Sequence, residues 1–375
     1  MTTSGEEPTA ARVWVRLPDL SSRAYEHPAD RSALVALRRL SGFDLVLRRL
    51  SGLIGERRLR LLYLASAVRV SEAQFAGVNQ IYADAIRTLD MPSRPELYIA
   101  QSPFPQAMTI GLDVPFIVVT TGLIDLMDDD ELRFVLGHEL GHALSGHAVY
   151  QTMLLTLLRL SASIGWLPIG YLGLRALIAA LREWARKAEL SGDRAGLLAG
   201  QDPDAALRAH MKMAGGARLS EMDTEAFLAQ GREYDAAGDL RDGVLKLLNL
   251  EQQTHPFAVN RAVELRRWVD SGGYEQVLAG DYPRRSDDSG TSVADEVRAA
   301  ARSYKESMDA SADPLVGLLR DLGGGVAGVR DRVTGWIRRP APASTGAGSA
   351  GPANSANGAD GDVNGSAADA GEPDA

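Results

Sequence analysis

Cysteine is missing altogether from this chain of 375 residues. No disulfide can staple the fold, and no thiolate can act as nucleophile or metal ligand. A basic excess is missing too: the formal net charge is −9, which offers no overall field for nucleic acid. Five of those negative charges (Asp360, Asp362, Asp369, Glu372 and Asp374) fall after Pro340, where there is no base, so the rest of the chain carries −4. The N-terminal region, with Glu6, Glu7, Pro18 and Asp19, has no basic stretch followed by an apolar one, so no secretory signal is read there. The expectation is a cytoplasmic protein that is not secreted. Long apolar runs are also scarce. The most apolar stretch, 152–181, is broken by Arg159 and Arg175. Its longest charge-free run, Leu160 to Leu174, is shorter than the roughly 20 residues of a spanning helix.

What is present is mostly helical pattern. Hydrophobic residues make up 45% of the chain, enough for an ordinary core in one large domain or two modest ones. Residues 1–28 are polar and irregular and read as a flexible N-terminal arm. Residues 29–90 read as an N-terminal helical region, with Leu34, Leu37, Leu40, Phe43, Leu47, Leu50 and Ile54 at three- and four-residue spacing. Arg38, Arg39, Arg48 and Arg49 lie between them, either a solvated face or a patch for anionic headgroups. After Met91-Pro92 the pattern turns to short strands at Leu97–Ala100, Ala107–Ile110 and Phe116–Thr120. Asp128, three residues before Glu131, gives a capping-box start to a long helix carrying His138, Glu139, His142 and His147. The stretch 152–181 reads as two helices joined near Gly165–Gly170, which either pack on the core or dip into a bilayer. Residues 183–270 read as helical with breaks at Gly215-Gly216 and His255-Pro256. Residues 271–339 are polar, then amphipathic from Pro314. The acidic Ala/Gly/Ser-rich tail 340–375 cannot bury enough apolar surface to offset ordering, and disorder is expected there.

The chemistry concentrates at His138-Glu139-Leu140-Gly141-His142. On a helix, positions i and i+4 lie about 40° apart around the axis, so both imidazoles project from one face and can reach a single Zn²⁺. Glu139 sits about 100° round from His138, beside a metal rather than on it, where a general base for water belongs. The plain alternative is two histidines satisfied on a helix face. Gly141 favours the sharper reading, because a glycine inside a helix costs about 1 kcal/mol and needs a reason, such as a backbone packed close.

A third ligand is needed. His147 follows His142 by five residues and, on a continuing helix, would point away from the metal. The metzincin pattern needs glycine at 145 and histidine at 148, where this chain has Ser145 and Ala148. Glu189 is the better candidate, with Asp193 one turn later on the same helix face. Asp193 could accept the free N–H of a liganding imidazole and fix its tautomer.

These pieces resemble the zinc metallopeptidase family that includes the HtpX heat-shock protease and the Ste-type CAAX prenyl endopeptidase, of gluzincin type. The stretch Phe116 to Asp125 is similar to that family's strand and turn before the active-site helix, and Asp130-Glu131-Leu132 with His138 to His142 is similar to the helix itself. Glu189, Asp193 and Ala195 resemble its E-x-x-x-D element, and His255-Pro256 with Arg261 its downstream His-Pro and Arg element. The resemblance covers roughly residues 95–270. It implies a helix-dominated α+β, zincin-like domain at 91–270 with a small β-sheet beside the active-site helix. It also implies that His255 donates to the oxyanion, that the strand near Gln106-Ala107 binds substrate as an added strand, and that membrane attachment through 152–181 is an option. Family members often carry Asn-Ala where this chain has Gln106-Ala107, which leaves subsite preference open.

The expected protein is therefore a zinc metalloendopeptidase, in protein quality control or membrane-linked proteolysis, acting on a peptide or protein substrate. One zinc per chain is held by His138, His142 and Glu189. Glu139 is the base, Asp193 orients a ligand, and His255 and Arg261 are candidates to stabilise developing charge. The competing expectation is a chaperone-like binding module that keeps the zinc site with little turnover.

Overall fold

The computed structural model describes residues 14–38, 56–164, 171–236 and 257–290. His255, the amphipathic stretch 314–339 and the tail 340–375 lie outside the described residues, as do Leu40 to Ile54 and the expected turn at Gly165–Gly170. Of the two units into which the chain divides, Asp321–Ala375 lies wholly outside them, so the fold concerns the unit Met1–Arg320.

Helices α1 (Pro28–Arg38), α2 (Glu56–Ser66) and α3 (Ala76–Leu89) come first, with the opening strand of a small mixed sheet lying between α2 and α3. Its strands are β1 (Val68–Arg69), β2 (Glu96–Ala100), β3 (Ala107–Ile110) and β4 (Phe116–Thr120), in the order β1-β2-β4-β3. β2 and β4 run parallel, while β1 and β3 are antiparallel edges. Three of the four strands match the sequence periodicity; β1, two residues long, is too short to show one. The sheet is covered on both faces, and alternation along the strands sorts its side chains. Leu97, Ile99, Ile117 and Val119 face the main core, whereas Tyr98, Ile110, Phe116 and Val118 face Leu59 and Tyr63 of α2. This gives a helix-dominated α+β fold with the sheet against the helix of the histidine motif.

After the short α4 (Thr121–Leu126), α5 (Asp129–Leu144) starts where the capping box placed it. The Asp128 carboxylate accepts from the Glu131 N–H at 2.9 Å, and the Glu131 carboxylate accepts from the Asp128 N–H at 3.0 Å. Glu131 is fully buried and tied to Arg208 and Lys212 of α8 (Pro203–Gly215). α5 is buried nearly all round and crosses α7 (Tyr171–Gly200) closely. The Gly141 backbone lies against Ala195, which supplies the reason a glycine is present in mid-helix.

α6 (His147–Ile164) and α7 flank the expected hairpin turn. Met153, Leu154, Leu157, Leu177, Ile178, Leu181 and Trp184 pack together with Ala33 and Leu37 of α1. Those apolar side chains are thus enclosed by protein. Among the described residues no helix is long and apolar enough to cross a membrane.

The N-terminal arm differs from its sequence expectation. From residue 14 onward it is packed: Leu17, Leu20 and Tyr25 are fully buried in the main core, and Tyr25 donates to the Gly141 carbonyl at 3.1 Å. Three apolar residues spread over irregular backbone carry no period, so only the packing reveals the role. At the other end, α9 (Thr224–Ala236) and α10 (Ala258–Asp270) are followed by α11 (Gly273–Leu278), whose Tyr274 and Val277 also enter the main core. Leu20 bridges to Arg284, joining the first and last described segments.

Candidate metal centre

α5 and α7 bring three side chains to one point. His138, His142 and Glu189 are all buried, and a single ligand atom from each lies within 4.8 Å of the others. His138 Nε2 and His142 Nε2 are 3.0 Å apart, and the Glu189 carboxylate oxygens lie 3.5 Å and 3.4 Å from them. Ligand atoms of a tetrahedral zinc, at about 2.0–2.1 Å from the metal, are separated by about 3.3 Å. The spacing therefore fits a metal ion.

The outer nitrogens agree. His138 Nδ1 lies 3.1 Å from Asp193 Oδ1, and a carboxylate only accepts, so the proton is on Nδ1 and Nε2 presents a lone pair. Burial alone would disfavour the charged imidazolium, yet hydrogen bonds to Asp193 and Glu189 outweigh it and raise His138 to about 9, so a cation binding here displaces the proton from Nε2 and takes its place between the carboxylates. His142 has no such carboxylate on its outer nitrogen, and burial leaves it below its ordinary value. A site that draws positive charge and offers two imidazole lone pairs and a carboxylate suits a divalent cation. Close approach of α7 is part of the construction: a Cβ on Gly192 would stand 2.6 Å from His138 Cε1.

Arg261 of α10 closes the far side. Its guanidinium grips Asp193 through both carboxylate oxygens, with Nε to Oδ2 at 2.8 Å, and its Nη1 lies 3.1 Å from Glu189. Burial would raise the Asp193 carboxyl, but the Arg261 charge and the hydrogen bonds from Arg261 and His138 hold it well below the usual range. Glu139 lines the same cleft as His138 and Glu189. Thr109 of β3, buried, donates to its Oε2 at 2.6 Å and thereby fixes the carboxylate. The cleft encloses about 800 Å³, and Phe134, Val135, Met213 and Phe257 make part of it apolar.

The structure thus brings together His138, Glu139, His142, Glu189, Asp193 and Arg261; His255 lies outside the described residues. His147 does not lie on a continuing helix. α5 ends at Leu144, Gly146 takes φ 69°, and His147 opens α6 with its Nδ1 3.0 Å from His142 Nδ1. It stands outside the three-ligand group but touches one of its members. Sequence reasoning missed Thr109, Asp30 and His210. His210 is buried in the cleft wall, its Nε2 has no hydrogen-bond partner among the described residues, and burial pushes it down to about 4. None of the three sits in a spacing that marks it.

A family model of peptidase family M48 matches residues 72–269, more than half of the chain. The chain belongs to peptidase family M48. Among relatives, the plastoglobule-localized metallopeptidase 48, chloroplastic, of Arabidopsis thaliana is 35% identical over 266 residues, 69% of this chain and 76% of that protein. A protease HtpX homologue of Sulfurihydrogenibium sp. is 34% identical over 83 residues, 22% of this chain and 27% of that protein. One from Tropheryma whipplei strain Twist is 42% identical over 50 residues, 13% of this chain and 17% of that protein. The HtpX matches thus span well under half of those proteins, whereas the plant match spans most of its own. No solved structure matches the chain. The M48 chain is a member of a metallopeptidase family, and its His138, His142 and Glu189 form a group able to hold a metal.

Proposed function

We propose that this M48 chain is a zinc-dependent metalloendopeptidase with one zinc per chain, held by His138, His142 and Glu189. The observation that carries the proposal is the convergence of two imidazole Nε2 atoms and one carboxylate within a buried cleft that also holds Glu139. A zinc ion held by these three residues would supply Lewis acidity and acidify a water beside Glu139. Glu139 takes a proton from the attacking water and hands it to the leaving amine. Thr109 occupies one of its oxygens, and the other carries no hydrogen bond among the described residues. Asp193 keeps His138 in the tautomer that presents Nε2, and Arg261 holds Asp193 and Glu189 in place. His255 is proposed as donor to the oxyanion on the family resemblance alone.

The edge position of β3, with Gln106 and Ala107 at the cleft, supports a peptide bound as an added strand. The apolar wall formed by Phe134, Val135, Met213 and Phe257 supports an apolar side chain beside the scissile bond. The narrower assignment to protein quality control or membrane-linked proteolysis, with attachment through 152–181, rests on the resemblance. The deciding experiment measures bound zinc and cleavage of an unbiased peptide library, for wild type and Glu139→Gln. Zinc is expected in both and cleavage in wild type alone. Cleavage by Glu139→Gln at near the wild-type rate would sink the mechanism, and zinc without cleavage in wild type would favour a binding module.

A further inference from the structure

The two histidines of the metal centre are oriented by different devices. His138 has a carboxylate, Asp193, directly on Nδ1. His142 has another imidazole: His147 Nδ1 lies 3.0 Å from His142 Nδ1, and His147 Nε2 lies 3.2 Å from Asp30 Oδ2. Asp30 also accepts from Ser191 Oγ at 2.6 Å, and Ser191 in turn accepts from the His27 N–H at 2.9 Å. His147, Asp30 and Ser191 are 2%, 1% and 0% exposed.

We propose that Asp30 and His147 form a positioning relay that holds His142 in the tautomer presenting Nε2 to the metal. The inference rests on the ligand set proposed above. A carboxylate can only accept, so His147 carries its proton on Nε2 and, as a neutral imidazole, presents a lone pair at Nδ1. His142 must then donate from its own Nδ1, which leaves its Nε2 bare toward Glu189 and His138. The negative charge of Asp30, passed through two rings, also makes His142 a stronger donor to a cation.

A purely structural role explains less. Asp30 Oδ1 is buried with no hydrogen-bond partner among the described residues. A buried carboxylate with one oxygen unsatisfied costs free energy that an apolar residue would avoid. The geometry also needs the break at Gly146, since on a continuing helix His147 would face away from His142. Asp30 belongs to α1, outside the family-matched segment 72–269, while Ser191 stands on α7 between Glu189 and Asp193. The relay therefore makes the N-terminal segment part of the metal centre.

The test uses the full-length protein loaded with zinc. With ¹⁵N-labelled histidine, the NMR signals of His142 should report a proton on Nδ1. Transfer of zinc to an excess of chelator should quicken about 10–100-fold in His147→Ala and about tenfold in Asp30→Asn, the range found when a partner of a metal-bound histidine is lost. The double variant should be no faster than His147→Ala alone. His147→Asn, whose amide oxygen can accept from His142 Nδ1, should restore most of the wild-type retention. Melting of the metal-free proteins separates loss of fold from loss of metal. If His147→Ala does not fold, Asp30→Asn and His147→Asn decide. Wild-type zinc retention in Asp30→Asn and His147→Ala, while Glu189→Ala loses zinc, overturns the relay alone. Undiminished zinc binding in Glu189→Ala overturns the ligand set and the relay with it.

Discussion

At the scale of single residues, neighbouring carboxylates at one centre are given different work by what surrounds them. Glu189 faces two imidazole nitrogens and is flanked by Arg261, so its charge belongs to the centre. Glu139 is held by Thr109 and stands in the cleft beside the centre. The two should separate cleanly in mutants. Glu189→Ala is expected to lose stoichiometric zinc, measured by metal analysis after dialysis. Glu139→Gln is expected to keep zinc and to lose about 10²–10⁴-fold in turnover, the usual worth of a general acid–base group. Of these residues, His138, Glu139 and His142 stand out in the sequence by spacing, and Glu189 by following them in the order the family resemblance implies. Thr109 does not, since a threonine inside a strand is ordinary and only the approach of β3 to α5 gives it a partner.

Between elements, the decisive contact is the crossing of α5 and α7, where small residues let two backbones approach. A methyl group on Gly192 would meet the His138 ring at 2.6 Å. Gly192→Ala is therefore expected to cost about 1–3 kcal/mol of stability, as overpacked cores do, and to weaken zinc retention. Denaturant titration and chelator competition measure the two effects. A second joint is held by Glu56 at the start of α2, whose carboxylate accepts from the backbone N–H groups of Leu112, Asp113 and Val114 in the turn between β3 and β4. Partial burial would raise its pKa, but these bonds and Arg60 outweigh burial and hold it below 4.5. A folded-state pKa below the unfolded one means that the stabilisation is present above the unfolded pKa and lost as pH falls through the folded one. Glu56→Gln should cost about 1 kcal/mol near neutral pH, allowing for partial exposure. Unfolding midpoints at falling pH should bring wild type and variant together.

For the molecule as a whole, the family-matched segment 72–269 is smaller than the folded unit. Leu17, Leu20 and Tyr25 before it, and Tyr274 and Val277 after it, lie in the same core as the motif helix. Deleting residues 1–38 is expected to abolish cooperative unfolding and zinc binding, whereas deleting 340–375 should change neither melting temperature nor peptide cleavage, because that composition contributes no core. Circular dichroism melts and a cleavage assay on the two truncations check both. The opposite pattern would assign the structural role to the tail.

The sequence by itself determined the parts that local periodicity and fixed spacing can carry. Strands at 97–100, 107–110 and 116–120, the capped helix from Asp128, and the shared face of His138 and His142 follow from side-chain period and helix geometry, while Glu189 was a candidate through its place after the motif and the family resemblance. Tertiary structure alone decided what depends on distance in space. It bound the irregular N-terminal strip into the core, turned the chain at Gly146 so that His147 meets His142, and set Asp30 behind it. No pattern within a segment encodes those contacts, because each joins side chains far apart along the chain or across a helix break, and they form only when α1, α5, α6 and α7 pack as one.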